Sequence, residues 1–275
     1  MRFLLLLTVM LAPALADVED RSSETKTFPG GRLVILDNVN GSIEAVGYDG
    51  NDVRLEVSKH IQAESAERLD AAKREVKLDM QQSGDTVKLY VDGPFRCNGN
   101  NSCGGGWRHE GYRVQYDFKL RVPSAGRVDL YTVNHGDVIV RGIGGGFDVR
   151  NVNGRIEMTD VAGAGRAHTV NGPVKVVFAK NPTGPSSFET VNGDIDIAFR
   201  KGLAADVRMQ TMHGGMYTDF EVSTLPAEPA AAERQNGKYV YRRGGSTGVR
   251  VGAGGAELKL KTLNGDIFVR DREKK

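Results

Sequence analysis

The sequence predicts an all-β fold, a single-stranded β-helix or β-solenoid of stacked coils of about 20 residues with one N-terminal capping helix. Three observations predict it. A short Asn-Gly motif recurs along the chain, alternating apolar and polar residues flank each copy, and one polar position recurs two residues before the motif Asn. The 275 residues, 39% of them hydrophobic, suffice for one sizeable core and exclude a disordered or collagen-like chain.

Residues 1–16 predict a signal peptide. Arg2 precedes an apolar run over residues 3–11, and Ala-Leu-Ala at residues 14–16 matches a cleavage site, so the mature chain would begin at Asp17. The run is too short for a membrane anchor, and no later segment is apolar enough to span a bilayer. We therefore expect an exported protein in the periplasm, at the cell surface or secreted, with no transmembrane segment after signal removal.

Charge bounds the class of partner. The chain has 37 Lys and Arg against 35 Asp and Glu, a formal net charge of +2. Such a balance gives no whole-chain field that could hold nucleic acid or an anionic membrane. We expect no nucleic-acid partner, and instead a cell-envelope protein or a surface glycan.

The repeated motif is predicted to form structural corners. Five copies match [Asn/Thr]-[Val/Leu]-Asn-Gly, and their corner residues are Asn40 and Gly41, Asn153 and Gly154, Asn171 and Gly172, Asn192 and Gly193, and Asn264 and Gly265. Two copies are degenerate, because His135 follows Asn134 in one and His213 replaces the Asn in the other. Glycine fits after Asn because such a corner needs a positive φ, which a side chain with Cβ resists.

Two architectures can use a unit in which strands flank a corner. Ile195 and Ile197 follow Asn192 with the alternation of a half-buried strand, and Phe188 precedes it in another. In an antiparallel meander, Asn-Gly is a two-residue hairpin turn. In a β-solenoid, equivalent residues stack about 4.8 Å apart. The recurrent Thr or Asn two residues before the motif Asn favours the solenoid, because identical polar residues then form hydrogen-bonded ladders.

The apolar residue directly before each motif Asn, such as Val152 or Leu263, has two interpretations. By strict alternation it opposes the core and contributes to an exposed hydrophobic stripe suited to a partner. If the corner reverses the alternation, it enters the core while the Asn caps the corner. We favour burial in the core.

Two segments interrupt the repeats within a single domain over residues 17–275. Residues 61–78 predict a helix with Ala66, Leu69 and Ala72 on one face, which we interpret as a cap over an open solenoid end. Residues 225–248 contain Pro226 and predict an inserted loop or hairpin.

The Cys- and Gly-rich loop at residues 93–111 is the predicted binding element. Its Cys97 and Cys103, the two cysteines of the chain, are expected to form a disulfide in an oxidising compartment. Aromatic faces beside hydrogen-bond donors suit sugar or peptide surfaces. In the alternative interpretation, the tryptophan only packs the loop onto the solenoid. The candidate ligand-binding residues are Trp107, Arg108, His109 and Tyr112.

We predict no catalytic, cofactor or metal site. Four acids would face outward on stacked strands, but basic and small residues interrupt their columns, so they form no continuous row. Those acids are Glu157, Asp194, Asp196 and Asp266. His135, His168 and His213 lie near corners where two could approach each other, but His213 is explained more simply as a replacement for the corner Asn.

A helix after the first strands, then Leu-Arg-Val-Pro at residues 120–123, then serial Val-Asn-Gly-x-Ile units resemble the bacterial putative-adhesin family of unknown function. The chain also looks like the related head-domain family of putative auto-transporter adhesins. The resemblance covers residues 34–270 and implies a β-helix-like stack, an envelope location and no catalytic motif. The Cys-rich loop and the insert after Leu225 depart from the family pattern.

We therefore expect an exported, non-enzymatic, adhesin-like scaffold or binding protein of the bacterial cell envelope. The alternative is a carbohydrate-active enzyme, a polysaccharide lyase or hydrolase, on a β-helix scaffold. A periplasmic signalling accessory is a third possibility, which only the predicted export of the protein supports.

Overall fold

The computed structural model describes residues 17–96, 111–226, 231–235, 238–242 and 246–274. The predicted signal peptide, the predicted disulfide between Cys97 and Cys103, and the residues from Trp107 to His109 lie outside the described residues. No helix in the described part of the chain is long and apolar enough to cross a membrane.

The described chain forms 23 strands and one helix. In chain order they are β1 (Val18–Pro29), β2 (Leu33–Asp37), β3 (Ile43–Tyr48), β4 (Asp52–Ala63), α1 (Ala66–Glu75), β5 (Lys77–Ser83), β6 (Thr86–Asp92), β7 (Tyr112–Pro123), β8 (Arg127–Tyr131), β9 (Val138–Arg141), β10 (Phe147–Arg150), β11 (Ile156–Val161), β12 (Gly165–His168), β13 (Val174–Phe178), β14 (Ser186–Glu189), β15 (Ile195–Phe199), β16 (Ala205–Gln210), β17 (Met216–Thr218), β18 (Val222–Thr224), β19 (Ala231–Gln235), β20 (Lys238–Arg242), β21 (Thr247–Val251), β22 (Ala256–Lys261) and β23 (Ile267–Asp271).

Two large sheets enclose one hydrophobic core. The first sheet has ten strands in the spatial order β1-β4-β7-β3-β9-β11-β13-β15-β23-β17. The second has 11 strands in the order β18-β21-β16-β22-β14-β12-β10-β8-β2-β6-β5. In the inner strands of both sheets every second residue is generally buried, and Phe178 of β13 meets Phe188 of β14 edge-on with ring centroids 6.2 Å apart. The two sheets therefore face each other across the core.

Each repeat contributes one strand to each sheet. Val174 of β13 pairs in parallel with Ile156 of β11 on one side and with Ile195 of β15 on the other. The motif lies between the two strands of a repeat, so the Asn-Gly corner carries the chain from one sheet to the other. The Asn-Gly corner does not join two antiparallel strands as a hairpin turn does, so the alternative of an antiparallel meander is wrong.

The prediction of a single-stranded β-solenoid is wrong, although the all-β class fits. The strands form two mixed sheets with antiparallel pairs at three of their four ends, as in β1 with β4, β5 with β6, and β18 with β21, whereas β17 pairs in parallel with β23. Spatial order also departs from chain order, because β22 and β23 lie between β14 and β15 on one side and β16 and β17 on the other. The motif period reports only a local strand-corner-strand unit. The segments that interrupt the repeats introduce antiparallel strands, and the second of them places the last repeat, β22 and β23, between two earlier ones. The motif spacing does not encode either effect.

Helix α1 is shorter than the predicted residues 61–78, because residues 61–63 continue β4 and Lys77 begins β5. Ser65 is the N-cap, and its hydroxyl accepts a 3.3 Å hydrogen bond from the Arg68 N–H. Ala72 and Val76 are fully buried in the core. The helix thus carries the chain from β4 in the first sheet to β5 in the second.

The inserted segment contains a two-stranded hairpin. Ala231 of β19 pairs with Arg242 of β20, and Val222 of β18 pairs with Val251 of β21. Both antiparallel pairs have the same register. The described parts of β19 and β20 therefore continue the register of β18 and β21.

Candidate binding surface

A buried polar column fixes the corners. Thr190 is 5% exposed, and its Oγ1 donates a 2.8 Å hydrogen bond to the carbonyl of Gly172 in the neighbouring repeat. The residue two positions before each motif Asn makes the same bond in other repeats. The donor and acceptor pairs are Thr132 with Gly41, Asn151 with Gly136, Thr169 with Gly154, Thr262 with Gly193, and Thr211 with Gly265.

The motif asparagines form an amide ladder along the edge of the molecule. Each Nδ2 donates to the Oδ1 of the preceding ladder member at 2.7 or 2.8 Å, from Asn153 to Asn134, Asn171 to Asn153, Asn192 to Asn171, and Asn264 to Asn192. His213 ends the ladder with its Nδ1 at 3.1 Å from the Asn264 Oδ1. Each interior amide keeps one N–H and one lone pair for a ligand or solvent.

Val39 is buried, as the interpretation we favoured requires, but the other apolar residues beside the motif asparagines remain outside the core, so that interpretation is wrong for them. Val152, Val170 and Val191 are half-buried, Leu263 is 38% exposed and Met212 is 69% exposed. The alternation continues through the corner because the Thr or Asn column already occupies the inward position. We call the exposed ladder and these neighbours the corner ridge, formed by residues 152–153, 170–171, 191–192, 263–264 and 212–213.

Close stacking of the corners explains the motif glycine better than backbone conformation does. A Cβ on Gly193 would lie 2.2 Å from the Gly172 carbonyl oxygen, and one on Gly154 would lie 2.2 Å from the Gly136 oxygen. Gly154 does not have a positive φ, yet its Cβ is equally excluded. The neighbouring repeat therefore occupies the space of the side chain.

Exposed apolar side chains concentrate at one end of the two sheets. Among the described residues, the exposed large hydrophobic side chains are Met212, Met216, Tyr217, Val222 and Leu263. We call these five residues the apolar end. They belong to β17, β18 and the last two corners, where both sheets finish.

An aromatic pair adjoins the apolar end. Tyr217 and Phe268 stack with ring centroids 5.1 Å apart, and the guanidinium of Arg270 lies 4.5 Å from the Phe268 centroid. Sequence analysis missed this pair. The available signal was that these two repeats carry an aromatic residue at the outward position where neighbouring repeats carry Lys175 and Asp196.

Of the predicted loop site, only Tyr112 is among the described residues. It begins β7, and its hydroxyl donates a 2.5 Å hydrogen bond to Glu75 Oε2 at the end of α1. β7 is third from one edge of the first sheet and β17 is the opposite edge, so Tyr112 and the apolar end are far apart. The joint site of Tyr112 with Trp107, Arg108 and His109 stays a prediction.

The candidate acids are held in structural contacts. Asp194 Oδ1 accepts the Asp266 N–H at 2.8 Å, and Asp266 Oδ1 accepts a backbone N–H of the next repeat at 2.7 Å. Asp196 accepts from Arg270 Nε at 2.8 Å, and Glu157 lies 3.8 Å from the Arg two residues before it. These contacts stack and pair strands, and they bring no two of the acids together across a groove.

Two open depressions on the molecule have mixed linings. One of about 480 Å³ includes Arg54 and Glu56, and one of about 540 Å³ includes Asp148, Arg166 and Lys259. Neither is lined by any of the four candidate acids. Each lining holds two carboxylates, Glu44 and Glu56 in the first and Asp148 and Glu257 in the second, and each of these four forms an ion pair with an Arg or Lys side chain.

Several groups in different parts of the fold have shifted pKa values, and some of them are neighbours, such as Asp129, Tyr131 and Arg150. Burial raises the pKa of Tyr116 to about 12 and raises the pKa of the Asp129 carboxyl. Two hydrogen bonds from Arg250, at 2.7 and 2.9 Å, lower the pKa of Asp206. In the described part of the chain, no group of three His, Cys, Asp or Glu residues could hold a metal ion.

No family model matches the chain, and no curated protein matches it. Among solved structures, it is similar to a "putative cell adhesion protein" from Clostridium sporogenes, with a TM-score of 0.47, 9% identity, and coverage of 92% of this chain and 100% of that one. It is also similar to a "putative adhesin" from Bacteroides fragilis, with a TM-score of 0.41, 10% identity, and coverage of 91% and 97%. A "putative lipid binding protein" from Parabacteroides distasonis has a TM-score of 0.29, 10% identity, and coverage of 91% and 96%. Because these TM-scores lie below 0.5, we draw no conclusion about a ligand from them.

Proposed function

We propose that the protein is an exported, non-enzymatic binding scaffold of the bacterial cell envelope that holds its partner at the apolar end. The observation that carries this proposal is the concentration of Met212, Met216, Tyr217, Val222 and Leu263 at one end of the sheets. Single exposed apolar residues scattered over a surface need no explanation. Exposed apolar residues gathered in one place mark interaction sites.

The hydrogen-bonded corners give this surface a stiff support. The ladder ends at His213, directly beside Met212, and Thr211 is tied to the Gly265 carbonyl at 2.9 Å. A surface that is already ordered loses little conformational entropy on binding. The corners therefore favour recognition by a preformed surface.

The chemistry of the surface suits a cell-envelope protein or a surface glycan. The stacked rings of Tyr217 and Phe268 offer a flat apolar face, and Arg270 adds hydrogen-bond donors beside it. The free amide groups of the corner ridge add further polar contacts. The structural contacts of the four acids favour this scaffold over the carbohydrate-active enzyme.

The test is binding by the purified mature chain, residues 17–275, in pull-downs from envelope extracts and on a glycan array. Met212→Ser and Tyr217→Ser remove exposed apolar area without touching the core. Lys175→Ala is the matched control, because Lys175 is exposed on the same sheet in another repeat. Trp107→Ala tests the predicted loop in parallel.

We expect both apolar-end variants to lose binding while Lys175→Ala and Trp107→Ala retain it. Loss only in Trp107→Ala would move the site to the Cys-rich loop. Binding to no extract component and no glycan would contradict the binding role. Release of sugar products that Asp194→Asn or Glu157→Gln abolishes would establish the enzyme instead.

A further inference from the structure

The last strand of the first sheet has an inward-facing side chain that nothing in the described part of the chain covers fully. Met216 of β17 is in register with Ile267 of β23 and faces the core as Ile267 does. Ile267 and the inward residues Ile195 and Val174 of the preceding strands are all 0% exposed, whereas Met216 is 38% exposed. The core is therefore only partly covered at β17, where the half-buried Phe220 just beyond the strand also packs against it.

The second sheet extends past this opening. β16 lies level with β17, but two more strands, β21 and β18, follow β16 in the second sheet. Val207 of β16 pairs with Val249, and Val222 pairs with Val251, so these residues share the inward face. Val222 is 43% exposed. The overhang is two strands wide, about 10 Å.

The edge of β17 presents backbone groups to the opening. The Ile267 N–H donates to the Gly215 carbonyl, and the Asp219 N–H donates to the Val269 carbonyl. β17 thus pairs with β23 through its odd-numbered residues, and the N–H and C=O of Met216 and Thr218 point away. No strand in the described ranges pairs with that side.

We propose that β17 accepts one extended polypeptide strand of a partner, which completes the first sheet beneath the overhang of β21 and β18. A row of alternating N–H and C=O groups is matched by another extended backbone. The apolar residues of such a strand would cover Met216 and Val222. This inference rests on the proposed function and names the class of partner and the way it is held.

A second copy of this chain does not fit the opening. Two copies pairing through β17 would be related by a two-fold axis. The overhanging β21 and β18 of each copy would then need the space that β16 and β22 of the other copy already occupy. A single strand has no second sheet and avoids this clash.

The other long edge of the first sheet is protected in the way that edge strands usually are. β1 carries Glu19, Asp20, Arg21, Glu24 and Lys26, and most of its residues are exposed. Charged residues discourage pairing with other chains. β17 is Met-Tyr-Thr and carries no charge.

Charge around the opening indicates a basic residue in the partner strand. Asp219 and Glu221 are exposed beside the end of β17. The register places Asp219 next to Arg270 of β23, where one Asp219 carboxylate oxygen accepts the Asp271 N–H at 3.1 Å and its backbone carbonyl accepts from Lys274 Nζ at 2.8 Å. A partner strand added in the same register would bring the residue that corresponds to Arg270 beside Asp219. We therefore expect inward apolar residues followed by Lys or Arg.

The test uses a fluorescein-labelled peptide with the sequence of Thr262–Asp271, which is the strand pattern that the first sheet already accepts. Its affinity for the mature chain is measured by fluorescence anisotropy, with a scrambled peptide as control. We expect saturable binding by the first peptide alone. Arg270→Glu within the peptide should weaken binding several-fold.

Met216→Pro is the decisive variant of the protein. Proline lacks the N–H that faces the opening, while the pairing of β17 with β23 does not use that group. We expect peptide affinity to fall at least about tenfold with an unchanged circular dichroism spectrum. Val222→Ser, which leaves all backbone groups in place, should weaken binding less.

Three results with the peptides and Met216→Pro would overturn strand addition. These are no binding by either peptide, equal binding by Met216→Pro, and a dimer that Met216→Pro dissociates in sedimentation. A variant lacking residues 231–242 tests the chain's own hairpin, and binding that appears only after this deletion would also overturn it. Partner loss in Met212→Ser and Tyr217→Ser without peptide binding would leave the proposed function standing and refute only this inference.

Discussion

The buried polar column makes a quantitative prediction at Thr190. Thr190→Val keeps the side-chain shape but removes the hydroxyl that donates to the Gly172 carbonyl at 2.8 Å. Because Thr190 is 5% exposed, water does not readily replace the lost donor. The carbonyl is then left without its side-chain partner.

The size of the effect follows from two opposing contributions. Leaving a buried carbonyl unsatisfied costs about 1–3 kcal/mol of folding free energy. The added methyl group recovers at most about 0.8 kcal/mol by burial. We therefore expect the free energy of unfolding to fall by about 1–2 kcal/mol, which corresponds to a Tm lower by about 2–8 °C in a chain of this size.

The measurement is equilibrium unfolding in urea, with the slope of the transition unchanged. Thr159→Val is the matched control, because Thr159 lies on β11 facing outward and is half-exposed. It should change the free energy by less than about 0.5 kcal/mol. Equal stability of the two variants would refute the view that the polar column holds the corners through hydrogen bonds.

Three further predictions address the corners and the core. Gly193→Ala places a Cβ 2.2 Å from the Gly172 oxygen and should lower the free energy of unfolding in urea by about 2–4 kcal/mol. Gly202→Ala, at a position with φ +79° and no atom within 4 Å of the added Cβ, should lower it by only about 1 kcal/mol. Similar losses in the two variants would contradict steric exclusion at the corner. Burial raises the pKa of Tyr116 to about 12 in the folded state, whereas the phenol of the unfolded chain loses its proton near pH 10. The free energy of unfolding should therefore be unaffected below pH 10 and fall by up to about 2–3 kcal/mol as the pH rises to 12. Tyr116→Phe should remove that part of the pH dependence, and an unchanged slope would contradict it. Asn192→Ala breaks two exposed ladder bonds and should cost about 0.5–1.5 kcal/mol while accelerating hydrogen exchange at the adjoining corners, so unaltered exchange there would speak against a cooperative ladder.

Local structure could be predicted from the sequence because it repeats. The alternation around Ile195 and Phe188 places both strands of a repeat correctly, and the recurring Thr and Asn indicate stacked polar residues, which the bond from Thr190 to Gly172 displays. The arrangement of the strands could not be predicted. The inward residues Ile267 and Val269 of β23 follow the same pattern as Ile195 and Ile197 of β15, so the insertion of β23 beside β15 depends on long-range packing.

Only part of the candidate surface could be predicted from the sequence. The apolar column was recognised, but its side of the sheet depended on whether the corner reverses the alternation, which local pattern does not decide. Tyr217 and Phe268 become neighbours because β17 and β23 are adjacent in space while 51 residues apart in sequence. The predicted loop rested on composition alone, without a stacking partner to position it.

The two ends of the sheets are covered to different extents, and the apolar end stays partly exposed although further chain lies beside it. At one end, α1 contributes Ala72 and Val76 to the core, and the charges of β1 guard the edge. At the other end, the chain has an inserted segment long enough to cover Met216. β18 and β21, which flank that segment, instead extend the second sheet, and the segment contains a hairpin that keeps their register. In the described part of the chain, β18 and β21 therefore lie beside an edge of the first sheet that pairs with no further strand. This geometry leaves space for one additional strand.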